Sequence, residues 1–255
     1  MIKVKAKEFD FVQLKDSGQA FRMMDDGVCI AMNKLCKVSG KIIECPDKDN
    51  EFWTNYFDLK TNYGHFIDAI DKKDKFLSKA ADFGYGIRIL RQDPWEMLIT
   101  YIISQRRSIP SIKTCVERLC KSYGKKLTGG YYSFPSPKEL SKATMDELLA
   151  AGLGYRAEYV YLATKAVASD EFRLEDLHNL NYEELVESLK SLRGVGDKVA
   201  NCVALFGYHR IEAFPIDVWI ARTVDQHYGG HFPLEKYEGF AGVMQQYMFY
   251  FARKA

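Results

Sequence analysis

The sequence predicts an α+β protein that is mainly α-helical, with an antiparallel β-sheet subdomain at the N-terminus followed by helical subdomains. Three observations support this class. Short alternating runs separated by turn residues fill the first part of the chain, helical periodicity begins near Tyr63, and a helix, Gly-x-Gly, helix hairpin spans about residues 181–206. We therefore divide the chain into residues 1–85, a sheet subdomain with a flanking helix, and residues 86–255, a helical region that contains the hairpin.

Length and composition fit a globular protein with a sizeable core. The chain has 255 residues, of which 47% are hydrophobic and 14% aromatic, and its formal net charge is +2. Because this charge is small, contact with a nucleic acid requires a local basic patch. No apolar run approaches the roughly 20 residues that span a bilayer, and Met1–Lys5 lacks the apolar core of a secretory signal. We expect a soluble intracellular monomer that does not associate with membranes.

The strand signals lie in the first 60 residues. Ile2 and Val4 alternate with lysines, and Asp25-Asp26-Gly27 is a turn signal between two apolar runs. The further predicted strands are Phe21–Met24, Val28–Met32, Lys41–Cys45 and Phe52–Leu59. For most of this sheet we expect a packing role.

The starts of the later helices are marked by capping residues. Asp93 precedes Pro94, and Glu96 occupies the third helical position, which predicts a helix start. Another helix begins after Thr144, and an apolar helix covers Phe240–Ala255. The helical signal therefore continues to the end of the sequence.

The hairpin has a capping-box-like start. Glu184 follows Asn181 by three residues, and apolar residues then recur at helical spacing until Gly194 and Gly196 interrupt the pattern. A second apolar helix follows. The backbone amides at its start, with the helix dipole behind them, form a site that binds an anion such as a DNA phosphate. Gly-x-Gly alone also fits a tight turn between helices without a ligand.

Two polar residues near the hairpin have the chemistry of a nucleophile and its carboxylate partner. Lys198 lies in the first turn of the second helix, where a cation opposes the helix dipole. This placement suits a lysine that must be partly neutral to act as a nucleophile. Asp217 stands in the apolar segment Phe214–Ile220, although aspartate is rarely buried without a partner. The alternative role for Asp217 is an ordinary helix N-cap.

The cysteines indicate neither a zinc site nor a redox motif. None of the six forms a Cys-x-x-Cys pair, so we expect reduced and mostly buried thiols.

The residues around Lys198 and Asp217 resemble those of the helix-hairpin-helix (HhH-GPD) DNA glycosylases. The rest of the chain narrows the resemblance to the 8-oxoguanine DNA glycosylase/AP lyases, as a bacterial or archaeal-type member. The resemblance runs in register over nearly the whole chain and implies an active-site cleft between the subdomains. The motifs that carry it are Ser17-Gly-Gln-Ala-Phe-Arg22, Gly86–Pro94, Val116–Cys120, Gly152–Ala157, Gly194-Val-Gly-Asp-Lys198 and Pro215-Ile-Asp-Val218.

The resemblance implies four residues that read the damaged base. The backbone carbonyl of Gly18 accepts a hydrogen bond from N7–H of 8-oxoguanine, whereas guanine presents an acceptor there. An unpaired buried acceptor costs roughly 1–3 kcal/mol, so one carbonyl can separate the two bases. Gln245 binds the Watson–Crick edge, Phe249 stacks on the base, and Cys202 lies against the opposite face. Without the resemblance, Gln245 and Phe249 would be assigned to the core or the surface, and Cys202 to the core.

Further residues are implied to bind DNA. Gly194, Val195 and Gly196 grip a phosphate through backbone amides. Tyr155 wedges into the duplex beside the extruded nucleotide and Arg156 binds the opposite base, because a base-flipping enzyme must fill the space that the base leaves. The alternative for this Tyr-Arg pair is ordinary surface.

The chain departs from the family pattern at four positions, three of them in comparison with eukaryotic members. Arg106 occupies the place that faces the orphaned cytosine, and Ser111 replaces a cytosine-reading arginine. These two changes predict relaxed selectivity for the base opposite the lesion. Arg193 replaces a proline and is expected to add a phosphate contact, and Trp219 replaces a phosphate-binding histidine.

The implied reaction is base excision followed by strand cleavage. Lys198 attacks C1′ of the deoxyribose, ionised Asp217 stabilises the positive charge that grows on the sugar, and the resulting Schiff base allows β-elimination. No catalytic metal is required, and because no cysteine follows Cys202, no iron–sulfur cluster is expected. Hairpins of the family can coordinate a monovalent cation. The implied partner is duplex DNA containing 8-oxoguanine, and the implied location in a prokaryote is the cytoplasm, at the nucleoid.

Two other readings remain open at this point. The chain could be a non-catalytic helix-hairpin-helix module, which the presence of both Lys198 and Asp217 argues against. It could also excise another damaged base, such as an oxidised pyrimidine or an alkylated purine. Gly18, Gln245 and Phe249 favour 8-oxoguanine.

Overall fold

The computed structural model describes residues 1–254 and confirms the predicted class, a mainly helical α+β protein with one antiparallel sheet. The four strands, in the spatial order β1-β4-β3-β2, are β1 Ile2–Lys3, β2 Val28–Ala31, β3 Lys34–Ser39 and β4 Ile42–Glu44. The α-helices are α1 Phe11–Asp16, α2 Asn50–Tyr56, α3 Tyr63–Asp68, α4 Lys75–Phe83, α5 Pro94–Ser104, α6 Ile109–Tyr123, α7 Pro137–Leu140, α8 Met145–Ala150, α9 Arg156–Ala168, α10 Tyr182–Lys190, α11 Asp197–Phe206, α12 Val218–Tyr228 and α13 Ala241–Lys254. Over this described range, no helix has the length and apolar character needed to cross a membrane.

The described chain forms two compact units that are not continuous in sequence. The terminal unit comprises Met1–Cys29, Cys36–Arg91 and the described residues from His209 onward, and the central unit comprises Ile30–Leu35 and Gln92–Tyr208. The C-terminal segment belongs to the terminal unit because α13 packs against α4 and α12. The division of the sequence between residues 85 and 86 stays a prediction about domains.

In the terminal unit, β4 lies between β1 and β3. Ile43 of β4 is opposite Ile2 on one side and Val38 on the other, and both Ile43 and Val38 are buried. The predicted turn contains Gly27, whose φ is +88° and where a Cβ would lie only 2.4 Å from the carbonyl oxygen of Val38. The turn therefore requires glycine, because only glycine combines this φ with such a close approach.

Two predicted strands are wrong. Phe21–Met24 forms only an isolated bridge between Met23 and Cys29, and most of Phe52–Leu59 lies in helix α2. Trp53, Tyr56 and Phe57 are all buried, and their rings contact one another at centroid distances of 5.1–5.8 Å. Aromatic residues favour strands on average, but these three stand at i, i+3 and i+4, which places them on one helix face. Another short helix, α1, also lies within the region that was expected to hold only strands and turns.

A buried carboxylate holds the segment that follows α2. Asp58 is 2% exposed, and its Oδ1 accepts hydrogen bonds from Arg91 Nε and Thr61 Oγ1, both at 2.9 Å. Its Oδ2 accepts a hydrogen bond from the Tyr63 hydroxyl at 3.0 Å and lies 3.4 Å from His209 Nε2. Burial opposes ionisation, but the hydrogen bond and charge of His209, together with Arg91 and Thr61, hold the pKa of Asp58 below its ordinary value.

Asp58→Asn is expected to lower the free energy of unfolding at neutral pH by about 2–4 kcal/mol, because a buried charge network loses its carboxylate. Asparagine tolerates the φ of +50° at this position as well as aspartate does. Because the folded-state pKa is lowered, the stabilisation is complete above the unfolded value of about 3.9 and is lost as pH falls through the folded-state pKa. Urea unfolding of both proteins over this pH range measures the effect. A difference in stability that grows toward acid would contradict it.

The central unit is built around α5. Helices α6, α9 and α11 pack on it, and every residue from Trp95 to Ser104 is buried. Asp93 caps the helix and Pro94 occupies its first turn, as the sequence predicts. Tyr101 stacks on Phe206 of α11 with ring centroids 5.6 Å apart. The two helices are thereby held together where α5 ends.

Candidate active site

The predicted hairpin is present in the central unit as α10, a short turn and α11. Asn181 and Glu184 form a complete capping box at the start of α10. Gly196 is the N-cap of α11 and has no side chain to accept a hydrogen bond from the amides of the first turn. Val195 is buried between the two glycines, and its amide donates to the carbonyl of Leu192 at 3.0 Å. The start of α11 therefore presents amides without a side-chain cap, which suits an anion.

The two hairpin glycines have different structural requirements. At Gly194, φ is +86° and a Cβ would lie 2.3 Å from Cγ of Tyr159. At Gly196, φ is −100° and a Cβ would meet no atom within 4 Å. Packing and backbone conformation thus require glycine only at position 194.

Gly194→Ala is expected to lower the free energy of unfolding by about 2–4 kcal/mol, through left-handed strain and overpacking against Tyr159. Gly196→Ala is the matched control and is expected to destabilise by no more than about 1 kcal/mol. Its methyl group would instead lie beside the uncapped amides and weaken binding of duplex DNA. Thermal unfolding and DNA titration of both variants measure these effects, and greater destabilisation by Gly196→Ala would contradict the assignment.

Lys198 lies in the first turn of α11, half-buried against α5. Its Nζ donates a hydrogen bond to Ser104 Oγ at 3.1 Å and lies 5.0 Å from the ring centroid of Tyr101. Ser104 in turn donates to the Tyr101 carbonyl at 2.8 Å, which fixes the hydroxyl that holds the amine. Cys202, one turn along α11, is buried. The structure therefore brings Lys198 and Cys202 together on one face, as the sequence predicts.

The loop between α5 and α6 contacts the hairpin. Gln105 Nε2 donates to the carbonyl of Gly194 at 3.1 Å. Arg106, the next residue, is exposed and has a φ of +51°, a left-handed conformation that is uncommon outside glycine. Such strained positions cluster where a structure must hold a side chain for function. This loop presents Arg106 to solvent while the preceding residue anchors it.

Tyr155 and Arg156 are placed differently from each other. Tyr155 is 52% exposed, whereas Arg156 is only 6% exposed, so ordinary surface, the alternative that we considered for the pair, does not describe Arg156. The Arg156 guanidinium donates through Nε and Nη2 to the carbonyl of Gln105 and lies 4.3 Å from the Tyr155 ring centroid. Burial lowers the pKa of this guanidinium, and the charges of Arg107 and Arg106 lower it further. Its role toward an opposite base stays a prediction.

In the terminal unit, a hydrogen-bond network fixes the backbone around Gly18. Gly18 has a φ of +83° and is half-buried between Ser17 and Gln19, which are both fully buried. The Ser17 carbonyl accepts a hydrogen bond from Gln246 Nε2 at 2.7 Å. The Gln19 side chain donates to the Arg88 carbonyl at 2.8 Å. These hydrogen bonds hold the residues on both sides of Gly18 in place.

Gln245 and Phe249 lie one turn apart on α13, as predicted. Gln245 is 4% exposed, and its Nε2 donates to the carbonyl of Pro215 at 3.0 Å. Its Oε1 is buried and has no hydrogen-bond partner among the described residues. Phe249 is half-buried beneath the Arg253 guanidinium, which lies 5.1 Å from its ring centroid. An unpaired buried acceptor is unfavourable by about 1–3 kcal/mol until a donor reaches it.

Asp217 is the N-cap of α12, so the ordinary capping role that we considered is present. Its Oδ1 accepts hydrogen bonds from the amides of Trp219 and Ile220 at 3.0 and 2.9 Å. The carboxylate is half-buried, and Oδ2 takes no part in the cap. Capping therefore aims the carboxylate without using both oxygens.

Arg193 and Trp219, two of the positions that depart from the family pattern, both have exposed side chains. Arg193 forms an ion pair with Glu158 at 3.0 Å, and both side chains are exposed. Trp219 is 42% exposed in the first turn of α12. The ion pair competes with the phosphate contact that was expected of Arg193.

Sequence reasoning did not single out Ser104, Gln105 or Arg107. Ser104 contacts Lys198, 94 positions later in the chain, and Gln105 links Arg156 with Gly194, 89 positions later. The only local signal was the end of the helix that Asp93 begins, followed by a pair of arginines. Contacts at such separations leave no periodic pattern in the sequence.

Comparison with known protein families decides which family this fold and these residues represent. Residues 1–98 match the model for the 8-oxoguanine DNA glycosylase N-terminal domain, and residues 99–237 match that for HhH-GPD superfamily base excision DNA repair proteins. The chain belongs to the 8-oxoguanine DNA glycosylase family of the HhH-GPD superfamily. The hairpin with Lys198 lies in the segment that matches the superfamily, and Gly18 lies in the segment that matches the N-terminal domain.

Two relatives of similar sequence are a yeast and an archaeal protein. The chain is 35% identical to the N-glycosylase/DNA lyase of Saccharomyces cerevisiae over 189 residues, 68% of this chain and 50% of the yeast protein. It is 30% identical to a probable N-glycosylase/DNA lyase of Methanothermobacter thermautotrophicus over 231 residues, 78% of this chain and 73% of that protein. The matched region thus spans about half the length of the yeast relative.

A solved structure shares the fold over nearly the whole chain. The 8-oxoguanine glycosylase/lyase of Clostridium acetobutylicum, in complex with double-stranded DNA that contains cytosine opposite 8-oxoguanine, superposes with a TM-score of 0.90. The two sequences are 34% identical, and the match covers 97% of this chain and 92% of the other. Family membership and architecture therefore agree.

Proposed function

We propose that this protein is a DNA repair glycosylase that excises 8-oxoguanine from duplex DNA and then nicks the strand as an AP lyase. The observation that carries the proposal is Lys198, a half-buried amine in the first turn of the hairpin helix, held on Ser104 Oγ at 3.1 Å. A lysine fixed in this way suits nucleophilic attack on the sugar rather than a solvated surface role.

In the proposed reaction, Lys198 Nζ attacks C1′ as the N-glycosidic bond breaks and the base leaves with the bonding electron pair. Positive charge develops on the sugar in the transition state, and ionised Asp217 stabilises it. Loss of a proton from the amine and opening of the sugar ring give a Schiff base. Removal of a C2′ proton then expels the 3′ phosphate by β-elimination. The amine returns when water hydrolyses the Schiff base.

We assign selection of the damaged base to Gly18, Gln245 and Phe249 of the terminal unit. Cys202 is assigned to the face of the base opposite Phe249. Gly18, whose neighbours on both sides are held by hydrogen bonds, supplies a backbone carbonyl that accepts from N7–H of 8-oxoguanine and meets a bare acceptor in guanine. Gln245 Oε1, a buried acceptor, suits the N–H donors of the guanine Watson–Crick edge. Phe249 supplies the ring on which the base stacks.

DNA contact is proposed for the hairpin and the two neighbouring segments of the central unit. The turn at Gly194–Gly196 and the uncapped amides at the start of α11 bind a phosphate, without the amide of Val195, which donates to the Leu192 carbonyl. The exposed ring of Tyr155 fills the space that the extruded nucleotide leaves, and Arg106 and Arg156 serve the opposite strand. The protein acts on duplex DNA as a monomer, and in a prokaryotic cell it works at the nucleoid in the cytoplasm. With Ser111 in place of an arginine, opposite-base selectivity is relaxed.

Borohydride trapping tests the proposal. The substrate is a duplex that holds one 8-oxoguanine opposite each of the four bases in turn, and borohydride reduces the Schiff base to a stable protein–DNA adduct. An adduct with 8-oxoguanine opposite several of the four bases supports the proposal with relaxed selectivity. Base release without an adduct would mean that water is the nucleophile. Binding without either product would leave a non-catalytic DNA-binding module, and activity on oxidised pyrimidines or alkylated purines instead would change the substrate.

A further inference from the structure

Arg107 bridges helix α6 and the turn that leads to Tyr155. Its Nη1 donates to Ser111 Oγ at 2.9 Å and to Cys115 Sγ at 3.1 Å, and its Nη2 donates to the carbonyl of Gly152. Ser111 and Cys115 are four residues apart and share one face of α6. A single planar guanidinium thus joins that face to the backbone of the turn.

The turn itself depends on glycines. Gly152 has a φ of +89° and Gly154 a φ of +60°. Arg118 of α6 adds a second bond, from Nη1 to the carbonyl of Ala151 at 3.3 Å. Glycine permits many backbone conformations, so these arginine contacts constrain the turn that precedes α9.

The position of Arg107 has an energetic disadvantage. Its Nε is buried and has no hydrogen-bond partner among the described residues. The charge of Arg107 lowers the pKa of Arg156. Both guanidinium groups lie near Gly154, because a Cβ at that position would be 3.9 Å from Nη1 of Arg156 and 4.0 Å from Nη2 of Arg107. Two guanidinium groups placed so closely, with carbonyl, hydroxyl and thiol groups as acceptors, indicate a functional rather than a purely stabilising arrangement.

We propose that Arg107 is a positioning residue for engagement of the opposite strand: it clamps the Gly152 carbonyl to Ser111 and Cys115, and so fixes the turn that presents Tyr155 and Arg156. Ser111 is the small residue that this clamp requires, because a long side chain there would displace the guanidinium. The inference rests on the proposed function and adds Arg107 as the residue that aligns Tyr155 with the duplex.

Lyase activity on abasic DNA tests the clamp, because cleavage needs Lys198 whether or not a second strand is present. The substrates are one abasic strand in duplex form and the same strand alone. Arg107→Met should lower kcat/KM on the duplex about tenfold and leave it within about twofold on the single strand. Arg107→Lys should not restore the duplex activity, because an ammonium on a shorter stem cannot bridge the same acceptors.

Ser111 provides variants that leave Arg107 in place. Ser111→Ala removes one acceptor of Arg107 Nη1 and leaves Cys115 Sγ, so it should cause a partial duplex-specific loss of about threefold, whereas Ser111→Met should reproduce the full loss of Arg107→Met. The double variant Arg107→Met/Ser111→Met should be no worse than either single variant, since both remove the same contact. If Arg107→Met does not fold, as shown by its thermal unfolding, the Ser111 pair still decides the question.

Several results would overturn the clamp. Equal losses on the duplex and the single strand would indicate a general structural role, and rescue by Arg107→Lys would indicate a direct charge contact with DNA. A second measurement needs no catalysis. It compares the affinity of each variant for a duplex that carries a tetrahydrofuran abasic analogue with its affinity for the same strand alone. If the wild-type protein shows no lyase activity, the proposed function fails, while these affinities still show whether Arg107 acts through the second strand.

Discussion

Lys198→Gln is expected to lower single-turnover excision and strand cleavage by about 10⁴-fold, which corresponds to roughly 5.5 kcal/mol of activation free energy. The amide of glutamine cannot attack C1′ or form a Schiff base. It keeps most of the length of lysine and can still donate to Ser104, whose Oγ lies 3.1 Å from Lys198 Nζ in the native protein. Quenched-flow measurement of product, together with borohydride trapping, gives both the rate and the loss of the adduct.

Affinity for the lesion duplex is the control for this substitution. Because Lys198 is half-buried against α5, its replacement should change the dissociation constant by no more than about threefold, well under 1 kcal/mol. A variant that binds and does not cleave separates the nucleophile from the DNA-binding surface. If Lys198→Gln still forms the borohydride adduct, another amine is the nucleophile and the assignment is wrong.

The parts of the fold that the sequence predicts correctly are those with local causes. The capping box of Asn181 and Glu184 lies within a single turn, and the structure contains it as predicted. Phe52–Leu59 is rich in aromatic residues, which favour strands on average, but the helical spacing of Trp53, Tyr56 and Phe57 matches the helix that forms. Local spacing was thus a better guide than average propensity.

The contacts around the candidate site depend on distant parts of the chain, and sequence reasoning found them less completely. Nothing near Arg156 in the sequence indicates that its side chain turns inward to the carbonyl of Gln105, 51 positions earlier. Arg107 meets Gly152 at a separation of 45 positions. Resemblance supplied Gly18, Gln245 and Phe249, whose neighbours in the structure fit the roles implied for them; those roles remain proposals.

Asp217→Asn is expected to reduce the excision rate by about 10²–10³-fold, or roughly 2.7–4 kcal/mol of activation free energy, in the range found when one preorganised electrostatic group is removed. The developing positive charge on the sugar would lose its negative partner. Asparagine is as good an N-cap as aspartate, so the hydrogen bonds to the amides of Trp219 and Ile220 are preserved. Stability should therefore change little.

Asp217→Ala separates capping from catalysis. It should lose the same catalytic contribution and, in addition, about 1 kcal/mol of stability, because the first turn of α12 loses its cap. Comparing single-turnover rates and urea unfolding for the two variants distinguishes the two roles of one carboxylate. If Asp217→Asn keeps the wild-type rate while Asp217→Ala is slow, capping alone explains the residue, and the negative charge has no part in the chemistry. A slow and stable Asp217→Asn would instead show that one side chain serves both the fold and the reaction, because the cap uses Oδ1 and leaves the charge of the carboxylate available to the sugar.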